Sequence, residues 1–491
     1  MSVPDSARGS RALVFAAALA LLLSTAFGYF RADDWTNLER GRLALSGEWR
    51  QVWTAVNPFG FFRPLVDTWH GVMLGLWGLN PWPHLLPLVL LLALQTLLLA
   101  RLVRLRGGSA ALAWLAAAAA WAQVNTYAWT ALWPSNVTGS LMTTFLLLAF
   151  TLHHRAVRFA GAGRGAATSV GLAALAAALA LLCKEEAVLM PPVLAWLEAL
   201  RWRRLRPRER GVALSSWTAI TLVVAFYAAF RLLVLPGAHA AGERYALHFG
   251  LNWARNLAFF AAHLGALPLV AALLTRLFYP AAWRPGARRG SEWLRSREGM
   301  LAGAGWAAIG IQLYLPIGGH AYGYLYAPAF AVAFAVAHFV EWAAGVQSAA
   351  DGRAPAPSRV VAAHWTLALL ATAAGLYGAG WHRYGAIARE AFAVMDRTLP
   401  RPRPGAHIVF LDPLERETLA GRSLFNMVFD TAPGSLVRLH YRRADLTAEI
   451  VAGDAALAAT ERPPAADAVY LARDGRLSLL AARDSTVRAA P

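Results

Sequence analysis

Long apolar stretches, broken by short arginine-bearing segments, run through the first 380 residues of the chain. The first covers residues 12–30. Others fall near 84–104, 109–127, 136–153, 165–183, 187–202, 213–235, 252–278, 300–317, 325–343 and 360–381. Most approach the ~20 residues that carry a helix across a bilayer, which predicts an all-α polytopic membrane protein of about 11 transmembrane helices. The first stretch is longer than the apolar part of a signal peptide. It also lacks a good small-x-small cleavage site at Ser24–Gly28, so it reads as an uncleaved span. Arg63 to Leu79 is different: Pro64 opens it, Asp67 and His70 interrupt it, and Asn80-Pro81 closes it. Counting it as a span would invert every later loop, so it is predicted to lie in the interface.

The pattern changes again near Arg383. An amphipathic stretch runs to Leu399, and Pro400, Pro402 and Pro404 form a hinge. Strand-like runs follow at Ile408–Leu411, Leu436–Tyr441 and Ala468–Ala472, the last turning through Arg473-Asp474-Gly475. The predicted organisation is a membrane unit over 1–382, with an outer loop at 31–80 that holds interfacial helices, and a small α/β extramembrane domain over 383–491.

Composition strengthens this picture. Only 15% of residues are charged and 58% are hydrophobic, against about 25% charged in soluble domains. A net charge of +18 would suggest nucleic acid in a soluble protein. Here the arginines sit between apolar runs: Arg101/Arg104/Arg106, Arg155/Arg158/Arg164, Arg201–Arg210, Arg276–Arg297 and Arg353/Arg359. That is an orientation signal, not a nucleic-acid footprint. It places the N-terminus in the cytoplasm and, with an odd number of spans, the C-terminal domain outside. The near-absence of lysine fits a GC-rich bacterial genome and hence an inner (plasma) membrane. The single Cys183 precludes an intrachain disulfide and reads as a packing residue.

On that topology the polar residues collect on the outer side. Asp33-Asp34 follow the first span directly. They either cap a juxtamembrane helix or supply a carboxylate to deprotonate an acceptor, with Arg63 as the cation at the far end of the loop. Lys184-Glu185-Glu186 lies between two apolar runs with none of the Gly, Asn or Ser usual in a solvated turn. A buried ion-pair network able to meet a phosphate is therefore favoured over a plain turn. His320, Tyr322, Tyr324 and Tyr326 line a connection between spans, either as an aromatic belt or as part of a sugar or phosphate site. Trp35, Trp49, Trp53 and Trp69 could stack on sugars. Asn136 reads as a helix cap, and His153-His154 as a helix end. No metal motif stands out; a divalent cation at Asp33/Asp34 is the one candidate.

Taken in order, Asp33-Asp34 after the first span, Phe62-Arg63-Pro64-Leu65, Lys184-Glu185 with Pro191 beyond, and Tyr324-Leu325-Tyr326-Ala327-Pro328 resemble the GT-C superfamily of membrane glycosyltransferases. The nearest branch is the protein O-mannosyltransferase and aminoarabinose transferase group (family 39-like). The resemblance covers about 380 residues and not the tail. It implies an inverting transfer of a sugar from a polyprenyl-phosphate donor to a lipid, glycan or protein acceptor on the outer face. It also implies Asp33 or Asp34 as general base, Arg63 and Lys184 at the donor phosphate, and Glu185, His320, Tyr322 and Tyr324 around the substrate. Glu186 departs from the Thr or Ser commoner in that family, and Tyr322-Gly323 from an acidic-basic pair. A transporter or flippase for a lipid-linked saccharide is the alternative. It would call for broken helices or charges near the midplane and for repeat symmetry; the chain offers His263 and few other mid-span candidates, no visible internal repeat, and polar weight on the outer side.

Overall fold

The computed structural model describes residues 15, 19, 29–30, 33–56, 60–121, 123, 133–160, 164–235, 250–284, 291–317, 322–351, 381–413, 418–419, 422–423, 433–473 and 476–482. Most of the first predicted span, nearly all of the one at 360–381, and His320 lie outside these residues, as does the side chain of Tyr322.

The segment after the first apolar stretch is helical: α1 (Asp33–Leu45), α2 (Trp49–Thr54) and α3 (Pro64–Trp77). Pro64 stands at the first position of α3, where a missing N–H costs nothing. Gly78, at φ 56°, ends the helix. Asn80 then starts α4 (Pro81–Leu105) by accepting the Trp82 N–H at 3.3 Å. The membrane unit continues through α5 (Ala110–Trp121), α6 (Val137–Arg158), α7 (Arg164–Leu181), α8 (Met190–Ala199), α9 (Pro207–Leu233), α10 (Leu251–Phe278), α11 (Ser291–Gly310) and α12 (Tyr326–Asp351). Among the described residues, five helices are long and apolar enough to cross a membrane: Pro81–Leu105, Pro134–Arg158, Pro207–Leu233, Leu251–Phe278 and Tyr326–Gln347.

One predicted span divides. The stretch near 187–202 is a 3-10 turn, Glu185–Leu189, followed by α8. Ten α-helical residues reach about 15 Å, half the hydrocarbon thickness. Pro191 and Pro192 in the first turn of α8 explain why no longer helix runs back through Lys184.

One buried polar network ties three helices of the core together. Gln95 of α4 donates to Ser140 O at 2.7 Å and Thr144 Oγ1 at 2.9 Å on α6, and accepts from Tyr326 Oη of α12 at 2.7 Å. Tyr326 is therefore a core residue fixing three helices, not part of an aromatic belt.

The tail begins with α13 (Trp381–Thr398) and continues as β1 (His407–Asp412), a short β2–β3 pair (Thr418–Leu419 and Arg422–Ser423), α14 (Pro433–Tyr441), β4 (Thr447–Ala452), α15 (Asp454–Glu461), β5 (Ala468–Arg473) and β6 (Arg476–Ala482). The main sheet has the order β4-β1-β5-β6, with β1 parallel to both neighbours and β6 antiparallel to β5. Leu436–Tyr441, predicted as a strand, is helical. Parallel neighbours need a crossover, and α14 supplies the one between β1 and β4. Its burial of Leu436, Val437 and Leu439 suits a helix face. The strand that the reading missed is Thr447–Ala452.

One face of the sheet packs Ile408, Phe410 and Tyr470 against α13 and α14, and the other packs Val409, Leu411 and Val469 against Ala456. The first of these cores also holds Phe30, Trp35 and Leu38. Helix α1 is thus part of the tail's core on one side and of the membrane unit on the other. Trp35 is fully buried there and cannot stack on a sugar.

Candidate functional site

Helix α1 is held by three contacts. Across α3, Gly41 and Gly71 meet backbone to backbone: a Cβ on Gly41 would lie 2.5 Å from Gly71 N. Beside that crossing, Arg40 pairs with Asp67 at 3.0 Å, both nearly buried. Toward the tail, Glu39 takes Arg438, whose Nη2 donates to Glu39 Oε2 at 2.7 Å, and the Ser435 hydroxyl.

These contacts set the start of α1, where Asp33 and Asp34 occupy the first turn. Asp34 is fully buried. Its Oδ1 accepts the Ser135 N–H at 2.6 Å and the Ser135 hydroxyl at 2.5 Å, and Asn37 Nδ2 donates to Ser135 Oγ at 2.9 Å. Ser135 lies in the 3-10 turn Pro134–Asn136 that opens α6, where helix amides lack internal acceptors. The Asp34 carboxylate therefore satisfies the start of a second helix. Asn136 stands at the cap position of α6 but makes no capping bond. Asp33 is only half-buried.

A second group forms around the residues between α7 and α8. The Arg63 guanidinium, just before α3, donates to Glu185 Oε2 through Nε at 3.1 Å and Nη2 at 2.9 Å. Arg231, in the last turn of α9, reaches Glu185 Oε1 at 3.4 Å and donates to Gly60 O at 2.9 Å. Lys184 pairs with Glu186. Its ammonium lies 5.5 Å from the Tyr324 ring centre and 5.8 Å from that of Tyr314, within cation–π range. The two tyrosine rings stack at 4.1 Å and 12°. Asn256 Nδ2 holds the Tyr314 turn by donating to the carbonyls of Tyr314, Leu315 and Ile317 at 3.2, 3.1 and 2.8 Å.

The two glutamates differ. Burial raises both carboxyls, but beside Glu185 the Arg63 and Arg231 guanidiniums outweigh it and hold that carboxyl below the usual range. At Glu186 burial wins over Lys184 and the carboxyl is raised. Three cations face two carboxylates in this group, so the balance is positive and suits an anion.

Helix antiparallelism puts both groups at one end of the fold. Helix α7 returns alongside α6, so Lys184, just beyond the end of α7, comes back to the level where α6 begins at Ser135. The opposite end of α6 carries a third cluster. His153 Nε2 and His154 Nδ1 each lie 3.1 Å from Glu198 Oε1, and Arg201 Nη2 lies 2.7 Å from it. His153, His154 and Glu198 are close enough to share a metal ion. Arg201 and Arg106, at 2.9 and 3.4 Å from the two His154 nitrogens, fill the place with cations instead. His154 is 19 residues beyond Ser135, about 28 Å along the axis.

Of the sequence candidates, the structure joins Arg63, Lys184, Glu185 and Tyr324 in one group and ties Asp34 to Ser135. Arg231 belongs to the polar residues that the sequence collects on the outer side, without a role of its own, whereas Tyr314 and Ser135 were not among the candidates. A charge near the end of the long apolar α9 was the signal for Arg231. Tyr314 and Ser135 carried none, because each acts through a neighbour distant in sequence.

No protein-family model matches the chain, and no curated protein matches it. Two crystal structures of ArnT from Cupriavidus metallidurans, an aminoarabinose transferase of the GT-C superfamily, share its fold. The structure bound to undecaprenyl phosphate has a TM-score of 0.50 at 15% identity, covering 92% of this chain and 88% of that one. The apo structure has a TM-score of 0.53 at 14% identity, covering 94% and 89%. At such identities the likeness is one of fold: this chain has an ArnT-like fold.

Proposed function

We propose that this protein is a membrane glycosyltransferase that moves a sugar from a polyprenyl-phosphate donor to an acceptor on the outer face of the bacterial inner membrane, with inversion at the sugar carbon. The observation that carries the reading is the cation group of Arg63, Arg231 and Lys184, part-buried at the end of the fold where α1 presents Asp33. The ArnT structure bound to undecaprenyl phosphate supports a lipid phosphate as the donor's anchor.

The mechanism follows from charge. A phosphate leaving group already carries its negative charge, so it needs cations and no general acid. Arg63 and Arg231 are pre-oriented by Glu185, and Lys184 by Glu186 and the tyrosine pair. The acceptor hydroxyl needs a base within hydrogen-bond reach. Asp33 is the candidate, because Asp34 is buried and committed to Ser135. Asp34 then positions α1 against α6.

The test is mass spectrometry of envelope lipids and glycans from cells with and without the protein. A sugar-bearing species should vanish when the protein is removed; an unchanged profile contradicts the proposal. Orientation is tested separately. A reporter active only outside the cytoplasm, fused after Pro491, should be active, and activity of a cytoplasmic reporter there would reverse the proposed topology.

A further inference from the structure

At the end of the fold opposite the cation group, a groove of about 460 Å³ opens between α8 and α9. Ala195, Ala199, Ala213, Leu214, Trp202 and Trp217 line its apolar walls, with Glu198 and Arg203 as the charged lining residues. Leu214 is 52% exposed, on a helix whose apolar surface is mostly outward-facing. The walls are fixed: Trp217 Nε1 donates to Pro191 O at 2.9 Å, and Arg210 bonds Trp202 O at 3.1 Å while its guanidinium lies 5.7 Å from the Trp202 ring. An apolar slot held open by pinned aromatic rings suits a hydrocarbon chain.

Its rim is basic. Arg203 lines the groove, and Arg203, Arg206 and Arg208 are exposed with no ion-pair partner among the described residues. The nearby acids are already engaged: Glu198 by Arg201 and His153, Glu298 by Arg204, and Glu209 by the Arg206 N–H. Arg206 lies two turns before Ala213 on the same side of α9, so the two unneutralised guanidiniums of Arg203 and Arg206 flank an apolar slot and match a ligand with an anionic head and a hydrocarbon tail.

We propose that this groove binds an anionic phospholipid of the leaflet opposite the transfer site, with one acyl chain between Trp202 and Trp217 and the phosphate held by Arg203 and Arg206. The site is separate from the donor site, about one membrane thickness away, and stands whether or not the proposed transfer reaction is correct.

The test uses the full-length protein in detergent, with phosphatidylglycerol or phosphatidylcholine of identical acyl chains added and retained lipid counted by native mass spectrometry. The wild type should retain phosphatidylglycerol about tenfold better than phosphatidylcholine. Arg203→Ser with Arg206→Ser should abolish that preference while leaving phosphatidylcholine binding unchanged, since each interfacial arginine contributes on the order of 1 kcal/mol toward an anionic lipid. Ala213→Trp, which fills the slot, should reduce retention of both lipids. Both substituted arginines are exposed, so the double serine variant is expected to fold even if Ala213→Trp does not. Equal retention of the two lipids by the wild type, or an undiminished preference in the double serine variant, overturns the proposal.

Discussion

Glu185 holds two guanidiniums at once, and the residue-scale behaviour of the site follows from that. With Arg63 on one oxygen and Arg231 on the other, the carboxylate orients two cations that would otherwise repel each other. Lys184 is differently placed, paired with a carboxyl whose pKa is raised and facing two ring faces. It is the cation most easily released to a ligand phosphate. Lys184→Met should therefore lower transfer from a labelled polyprenyl-phosphate sugar at least tenfold while expression stays near normal. Lys184→Arg should restore only part, because a planar fork does not replace a compact ammonium. Normal transfer by both variants would make Lys184 a structural residue. His70 offers a second test. It is buried in α3 with neither ring nitrogen hydrogen-bonded among the described residues, and burial lowers its pKa to about 3. Between about pH 6.5 and 3 the unfolded chain binds a proton there that the folded chain does not. Stability should fall with pH through that window, by at most about 1.4 kcal/mol per unit. Thermal unfolding of His70→Leu should show a shallower acid slope than the wild type; identical slopes would refute the assignment.

At the scale of elements, α1 is the connecting piece: it carries Asp33 and Asp34, crosses α3 at the Gly41–Gly71 contact, and shares a core with the α/β tail. A Cβ on Gly71 would lie 2.8 Å from Gly41 O, so Gly71→Val must push the helices apart. Overpacking of this kind costs about 1–3 kcal/mol and should also move Asp33, so activity should fall along with the unfolding temperature. Gly139→Ala, in open space on α6, is the control and should be neutral or slightly stabilising. If Gly71→Val kept both stability and activity, the close crossing would be wrong. The same element shows why parts of the site were legible in the sequence. Asp33-Asp34 and Pro64 announce helix starts locally, and the missing turn residues around Lys184 announced burial. The Asp34–Ser135 bond spans 101 positions and the Arg231–Gly60 bond 171, and no local pattern records either.

For the molecule as a whole, hydrophobic runs located most of the membrane helices because lipid exposure rewards apolar residues regardless of tertiary contacts. The reading failed where burial by protein replaced burial by lipid. Leu436–Tyr441 looks strand-like only until the parallel sheet demands a crossover there, and the stretch near 187–202 looks like a span only until its helical part is measured. The arrangement that emerges has one end where Arg63, Arg231 and Lys184 gather beside α1 and α3, and a basic end some 28 Å away along α6. The central claim is that the first end transfers sugar with Asp33 as base. Its most direct measurement is turnover of a labelled polyprenyl-phosphate sugar by purified Asp33→Asn, Asp34→Asn and the double variant, reconstituted in membranes. The account predicts a loss of about 10²–10⁴ in rate for Asp33→Asn, with Asp34→Asn affected less at the chemical step and more in stability. Near wild-type turnover by the double variant would contradict it.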